Sequence, residues 1–449
     1  MARGKKKETL TPEERLQTAL VPESEQPYKV PENWCWTYLT QGAAKCLDSF
    51  RKPINASERA NREGVIPYYG ATGQVGWIND FLTNEQLVLV GEDGAPFLDL
   101  IKDKAYIIAG KAWVNNHAHI LRSHFGTAGN LFLMHYLNIF NYHDFVNGTT
   151  RLKLTQGSMD TMPVPLPPLP EQQRIVDRIE SLFTKLDEVK LKAQDALDSF
   201  ETRKSAILHK AFTGELTAQW RKEHGVGMES WENVSVSEIC HSLKYGTAKK
   251  SVSEGAVVVI RMGNLQDSEI TWDDLAYSND QQDIEKYKLM PGDVLFNRTN
   301  SPALVGKTSI YRGEYPAIYA GYLIKLDYDH SRIIGDYLNY TLNTVSAKKY
   351  CNSVKTDGVN QSNINAKKIG AYVFAVPKIE EQAEIVRILD TLLAKEQQAK
   401  ETAEGVLEQI DLIKKAILAR AFRGELGTND PSEESAVELV RQLVKDELE

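Results

Sequence analysis

Cysteine is scarce in this sequence. Cys35, Cys46, Cys240 and Cys351 are all there is, none at C-x-x-C spacing, which argues against a zinc site or a disulfide framework and fits a reducing cytoplasm. Long apolar runs are missing too. No stretch reaches the roughly 18 residues of a membrane-crossing helix, and the opening Met1-Ala2-Arg3-Gly4-Lys5-Lys6-Lys7 lacks the apolar core of a secretion signal. A soluble, cytoplasmic protein with no membrane association is expected. Catalytic motifs are equally thin. Gly306-Lys307-Thr308 has the ending of a phosphate-binding loop, but Ser301 stands in the place of its first glycine, so the cradle is not made. Gly70, Gly73 and Gly76 miss the dinucleotide spacing and read as turn glycines. His117, His119 and His124 lack a cysteine or carboxylate at ligand spacing, so they read as structural or hydrogen-bonding groups rather than a metal site. No G-x-S-x-G context and no convincing pair of catalytic carboxylates with lysine is found. The expectation is a chain with no catalytic residue, no metal and no cofactor of its own.

What is present is a repeat. Pro167 to Leu216 returns as Pro377 to Leu426 at a constant offset, with Glu171-Gln172 on Glu381-Gln382, Ala206-Ile207-Leu208 on Ala416-Ile417-Leu418, Ala211-Phe212 on Ala421-Phe422 and Gly214-Glu215-Leu216 on Gly424-Glu425-Leu426. Roughly 50 residues held in step without insertion mark a rigid spacer rather than a loop. Apolar or small residues at Ile175, Ile179, Leu182, Leu186, Val189, Ala193, Ala196 and Phe200 alternate in steps of four and three, the a/d seam of a coiled coil. Ile385, Leu389, Leu392, Ala399, Ala403, Val406, Ile410, Ile413 and Ile417 repeat it. Pro170 sits where a helix begins, and Gly214 and Gly424 where it stops. A helix of about 40 residues spans about 60 Å and cannot bury its seam alone, so the two copies are expected to form an antiparallel pair.

Two seam positions are polar, Arg203 and Glu396. The register that sets them face to face also sets Leu186 opposite Ile413, Leu182 opposite Ile417 and Phe200 opposite Ala399. The next register leaves Arg203 against Leu389 and Glu396 against Ala196. An unpaired buried charge costs several kcal/mol, which favours the first; better centring of the helices and the reach of Arg203 to water favour the second. Both registers stay open.

At 449 residues with 42% hydrophobic content the chain is too long for one core, and about three domains are expected. It divides into a tail over 1–30, a globular part over 31–166, a central helix over 167–222, a second globular part over 223–376, a second helix over 377–427 and a tail over 428–449. Thr11-Pro12-Glu13-Glu14-Arg15-Leu16 in the first tail has the pattern of a short capped helix. The interval from Trp34 to Trp231 is shorter than the helix-to-helix interval, so the period is fixed in the helices and elastic in the globular parts. Each globular part carries short β-rich runs (Leu87 to Val90, Ala112 to Leu121; Val257 to Ile260, Val294 to Phe296) before a helix near Leu131 to Phe140 or Ile334 to Tyr350, then a polar turn and proline. The fold class is α/β, two mixed α/β domains in a tandem duplication of domain plus helix.

The net charge of −8 does not favour nucleic acid, yet it decides little for a modular chain. The glycine-bearing loops do favour it. Candidate DNA contacts are Tyr68, Tyr69, Lys111, Asn115, Asn116, His117, Gln156 and Ser158 in the first domain. In the second they are Lys244, Lys249, Lys250, Arg261, Asn264, Arg298, Asn300, Lys348, Lys349, Asn360 and Gln361. Lys and Arg supply phosphate contacts and read guanine, while Asn and Gln pair with adenine. Any one such loop is ordinary solvated surface; matching places in two repeats raise the set above its members. The helix-pairing candidates are Leu182, Leu186, Arg203, Glu396, Ile410 and Ile413.

The paired Pro-x-x-x-Glu-Gln helix starts, the Ala-Ile-Leu-x-x-Ala-Phe-x-Gly-Glu-Leu endings, Tyr68-Tyr69-Gly70-Ala71-Thr72-Gly73 and Gly292-Asp293-Val294-Leu295-Phe296 resemble the specificity subunit of type I restriction-modification systems, from about Pro31 to Leu426. The resemblance implies that each globular part is a target recognition domain. It implies that the long helices separate the two domains and dock two copies of a methyltransferase subunit, and that a restriction subunit translocates and cuts the DNA. It also implies a pseudo-twofold arrangement in which the domains face the halves of an asymmetric, bipartite double-stranded site, with an unread gap set by helix length. Adenine methylation, with S-adenosylmethionine and base flipping, then belongs to the partner. Base contacts do not transfer, because recognition domains vary within the family. A free-standing DNA-binding or regulatory protein that uses the coiled coil only to dimerise is the alternative, and a nuclease or methyltransferase with a degenerate motif comes third. A stable complex with a methyltransferase subunit marks the specificity role; S-adenosylmethionine binding by the isolated chain marks the enzyme.

Overall fold

The computed structural model describes residues 11–359 and 361–446. The basic cluster Lys5-Lys6-Lys7 and the candidate Asn360 lie outside the described residues. Among the described residues no helix is long and apolar enough to cross a membrane.

The second heptad stretch is one unbroken helix, Ile379–Ala421, and the first runs over Leu169–Asp198 and Phe200–Phe212 with Ser199 between. That interruption has a local cause. Ser199 Oγ donates to the carbonyls of Asp195 at 2.7 Å and Ala196 at 3.3 Å, and Arg203 Nη2 also donates to Ala196 O at 3.1 Å. Side chains thus compete with backbone amides for the same acceptors. The chain forms two compact units, one of the segment up to Gln194 with Glu404 onward, the other of Asp195–Ala403. Each holds one globular domain, the start of one long helix and the end of the other.

In the first unit, antiparallel strands lie in the order Ala44–Cys46, Ala118–Ser123, Leu87–Gly91, Ala105–Ile108. Leu87–Gly91 is buried throughout, as an uninterrupted apolar run at the centre of a layered domain should be. A second sheet sets the hairpin Ile66–Gly70 and Gly73–Ile78 beside Lys111–Val114, with Tyr68 opposite Trp113 in a parallel pairing. Helix Gly126–Ile139 adds Phe132, Leu133, Tyr136 and Leu137 to a core that also takes Ile175, Val176 and Ile179 from the first long helix and Leu418, Ala421 and Phe422 from the second. Phe422 meets Phe132 and Tyr136 edge-on, ring centroids 4.9 and 5.2 Å apart. In the second unit Phe212 meets Tyr337 at 5.2 Å, and Leu208 and Ala211 share a core with Ile385 and Leu389. The repeated Ala-Phe ending is therefore the knob that fixes a helix end into a domain core.

Each domain closes on itself by a two-stranded ribbon, Cys35–Tyr38 with Pro163–Leu166 and Glu232–Ser235 with Val373–Val376. A short helix capped by Thr155 in one unit and Asn365 in the other precedes the second ribbon strand. Asn365 is thus the counterpart of Thr155. The second unit adds a six-stranded sheet and a smaller one in which Val257–Ile260 runs parallel to Ala317–Tyr319. The described parts of the segments read above as tails belong to the first unit. Helix Pro12–Ala19 opens on a reciprocal cap between Thr11 and Glu14, and its Leu16 and Ala19 pack with Ala436, Val440 and Val444 of helix Ala436–Asp446.

Cross-helix contacts fix direction. In the second unit Arg203 Nε donates to Glu396 Oε2 at 2.8 Å, and Lys400 Nζ lies 5.1 Å from the Phe200 ring. In the first, Lys414 Nζ reaches Asp187 at 2.6 Å and Lys190 approaches Asp411 at 4.0 Å. Rising numbers on one helix meet falling numbers on the other, so both halves pair antiparallel. The seam is shallower than its pattern suggests. Ala193, Phe200, Ala403 and Ile410 are buried and Leu182 and Leu186 half-buried, but Ile413 is 41% exposed, because a lone helix pair covers each seam residue from one side only. With side-chain exposures of 36% and 22% for Arg203 and Glu396, a double-mutant cycle should give about 0.5–1 kcal/mol of coupling. No measurable coupling would contradict the pairing.

Gly424 tests the helix ending. It holds φ at +73°, and an added Cβ would sit 2.4 Å from Cγ of Pro31, whereas Gly427 at φ +71° has open space. Gly424→Ala should destabilise the first unit by about 2–4 kcal/mol in urea unfolding, and Gly427→Ala by about 1 kcal/mol.

Candidate nucleic-acid interface

In the second unit a cleft of about 630 Å³ gathers Arg261, Asn264, Asn300 and, beyond the sequence candidates, Gln266, Lys307 and Tyr322. Beside it the Arg298 amide donates to Tyr322 O at 3.0 Å, and the guanidinium lies 4.8 Å from the Tyr245 ring while Nη1 donates to Gly321 O at 3.1 Å. Tyr245 and Tyr322 are 41% and 49% exposed. The three cations Arg261, Arg298 and Lys307, two open tyrosines and the amides of Gln266 and Asn300 suit phosphates, base stacking and base edges together. Asn264 serves the fold instead: its Oδ1 accepts from the Arg261 amide at 2.9 Å and its Nδ2 donates to Thr271 O and Asp273 O. Arg261 reaches Asp274 at 3.0 Å, Lys244 reaches Asp327 at 3.0 Å and Lys249 reaches Asp280 at 2.7 Å. Each of those three cations is thus already paired with a carboxylate. Lys250, Lys349 and Gln361 are exposed, while Lys348 is half-buried and donates to Gly306 O and Asn343 Oδ1.

The first unit presents a smaller patch. Tyr69, Asn115, Asn116 and His117 lie where the parallel pair Tyr69 and Val114 ends, and Asn115 N donates to Tyr69 O at 3.0 Å. His117 Nδ1 is 2.7 Å from Asp93 Oδ1, which Arg151 Nη2 also reaches at 2.7 Å, and Lys153 Nζ is 3.0 Å from Glu92. Arg151 and Lys153 were not among the sequence candidates. Tyr68 is withdrawn from the surface: it is 2% exposed, because alternation along the strand turns it inward where Tyr69 is half out. Asn115 is buried and spends its Oδ1 on the His117 amide at 2.8 Å. Ser158 hydrogen-bonds within the Thr155 cap, and Lys111 Nζ lies 4.8 Å from the Phe81 ring. Gln156 is exposed on the short helix.

Asp48, Glu92 and His119 have the spacing of a metal-ligand group. The group is already satisfied. His119 is buried with Nδ1 2.6 Å from Asp48 Oδ2 and Nε2 2.8 Å from Leu154 O, and Arg51 and Lys153 neutralise the carboxylates. Burial alone would raise both carboxyls, but His119, the Ile120 amide and Arg51 hold Asp48, and Arg51, Lys153 and His119 hold Glu92, below the usual range. Their contribution to stability is therefore complete above about pH 4 and is lost as pH falls through the depressed values. Asp48→Asn should flatten the acid limb of first-unit unfolding between about pH 4 and pH 2. An unchanged limb would show that the network contributes nothing there.

A family model described as type I restriction modification DNA specificity domain matches residues 48–195 and 228–408. Among named relatives, the type I restriction enzyme StySPI specificity subunit of Salmonella potsdam is 26% identical over 275 residues, 60% of this chain and 59% of that one. The EcoKI specificity subunit of Escherichia coli (strain K12) is 26% identical over 308 residues, 66% of this chain and 65% of that one. The matched stretches thus span less than two thirds of these relatives. The crystal structure of the HsdS subunit from Thermoanaerobacter tengcongensis has a TM-score of 0.61 at 20% identity, covering 90% of this chain and 100% of that one, a likeness of fold. With the family model matched twice, once in each repeat, the chain belongs to the type I restriction modification DNA specificity family.

Proposed function

We propose that this chain is the sequence-recognition subunit of a type I restriction-modification complex. Each unit reads one half of an asymmetric, bipartite double-stranded DNA site, and the long helices dock two copies of a methyltransferase subunit. Methyl transfer, with S-adenosylmethionine, belongs to that partner, and translocation and cleavage belong to a restriction subunit. The carrying observation is that the two repeats share ribbon, helix anchor and helix pair yet expose different side chains: Tyr69, Asn116, His117 and Arg151 in one, Arg261, Arg298, Asn300 and Tyr322 in the other. A common frame with unlike faces suits two unlike half-sites.

Exchange of residues 34–165 for those of a relative should change one half-site and leave the other, scored by protection of DNA from methylation-sensitive cleavage. A change in both halves would refute independent reading. Within the second unit, Arg298→Ala should either relax one base position by about 1–3 kcal/mol or weaken all sequences alike and reduce the salt slope by about one. If affinity and specificity both stay at wild-type levels, Arg298 is not part of the interface.

A further inference from the structure

The stretch Gly306-Lys307-Thr308-Ser309 has the ending of a phosphate loop without its glycine cradle, and the structure shows what replaces the cradle. Its backbone is committed to the sheet: Gly306 N donates to Asn297 O, and Asn297 N to Lys307 O, both at 2.8 Å. No nest of free amides is available for a nucleotide. The side chains are another matter. A cleft of about 240 Å³ is lined by Lys204 from the long helix, Lys307, Thr308 and Ser309 from the strand and Lys348 from helix Val345–Val354. Lys307 Nζ meets a neutral partner, Gln266 Oε1 at 2.7 Å, and Lys348 Nζ meets two, Gly306 O at 2.8 Å and Asn343 Oδ1 at 3.1 Å. Only Lys204 reaches a carboxylate, that of Asp267 at 3.0 Å, and Asp267 is 80% exposed. Glu201 is the other acid on the wall.

Two further features point to an absent oxyanion. The Thr308 side chain is buried, at 1% exposure on the Phe296 side of its strand, and its hydroxyl has no hydrogen-bond partner, while Ser309 lies on the opposite face with Leu295. Orphaned buried donors are rare and costly. Burial pushes the Lys348 ammonium down to about 8, opposed by Cys351, with the charges of Lys307 and Lys204 adding to the downward push. Gln266 and Lys307 also line the Arg261, Asn300 and Tyr322 cleft, so the two depressions share a wall.

We propose that Lys204, Lys307 and Lys348, with the hydroxyl of Thr308, form an oxyanion site that takes a phosphate group of the DNA backbone beside the reading cleft. The assignment rests on the second unit being a DNA reader; free inorganic phosphate presents the same chemistry. Acetylation of Lys348 in the full-length wild-type chain, followed by mass spectrometry, separates the two sources without any variant. A duplex without the target site should slow acetylation about tenfold at ten times its dissociation constant. Protection by the duplex, with or without protection by inorganic phosphate, supports the site. Protection by inorganic phosphate alone overturns the backbone assignment, and protection by neither overturns the site. In parallel, the double variant Lys307→Gln with Lys348→Gln should lower the salt slope of binding by about one for target and non-target duplexes alike, with their affinity ratio unchanged. An unchanged slope in a chain that still discriminates its target contradicts this site. A wild-type chain that never discriminates contradicts the proposed function instead.

Discussion

Glu381→Ala should lower the stability of the second unit by about 3–5 kcal/mol. Glu381 opens the long helix Ile379–Ala421 and is 1% exposed. Its Oε1 accepts from Arg221 Nη1 at 2.6 Å and Thr217 Oγ1 at 2.7 Å, and its Oε2 from Trp231 Nε1 at 3.0 Å. Thr217 and Arg221 follow the end of the first long helix, while Trp231 leads into the domain. One carboxylate thus ties helix start, helix end and domain entry. Its removal leaves a guanidinium buried at 9% side-chain exposure with only Thr217 Oγ1 and Gly214 O as acceptors. The matching Glu171 gives a built-in control. It accepts from Thr428 Oγ1 at 2.7 Å and from Arg174, but Arg174 is 38% exposed and holds Glu433 as well. Glu171→Ala should cost about 1–2 kcal/mol. Burial lifts the Glu171 carboxyl above its usual range in spite of Thr428 and Arg174, so folding makes its charged form harder to keep than in the unfolded chain. Equal costs at the two sites, measured by urea unfolding, would show that the Arg221 pairing is not what makes Glu381 special.

The second large effect concerns spacing. Adding one heptad to each long helix, in register, lengthens each by about 10 Å, close to 3 base pairs at roughly 3.4 Å each. Binding to the native target should fall to the level of non-specific DNA, a loss of about a thousandfold or more. A target with its unread gap widened by about 3 base pairs should recover the affinity. Unchanged preference for the native gap would end the idea that the helices act as a ruler.

What could be read from the sequence was what repeats at fixed spacing. Heptads, helix stops and the Glu-Gln starts announce themselves because a helix imposes a period on every residue along it. The choice of register needed coordinates: Arg203 faces Glu396. The helix Ala436–Asp446 was read as part of a tail: its stripe Ala436, Val440 and Val444 is short, and what it covers, Leu16 and Ala19, lies at the far end of the chain. Loop chemistry was the least legible part. Tyr68 and Tyr69 are neighbours of like composition with opposite fates, and only strand pairing decides which faces water. Lys307 was passed over because its motif lacked a glycine, a test that judges amides and says nothing of where the ammonium goes. The pairing of Lys with Asp at Lys244 and Lys249 arises between residues far apart in sequence and leaves no local signal.

The most direct test of the central claim is selection of bound sequences from a random duplex pool by the full-length chain assembled with a methyltransferase subunit. The account predicts two unlike half-sites at a fixed unread gap, one of which changes when residues 34–165 are exchanged. A single uninterrupted site, two identical half-sites, or no enrichment at all would contradict it.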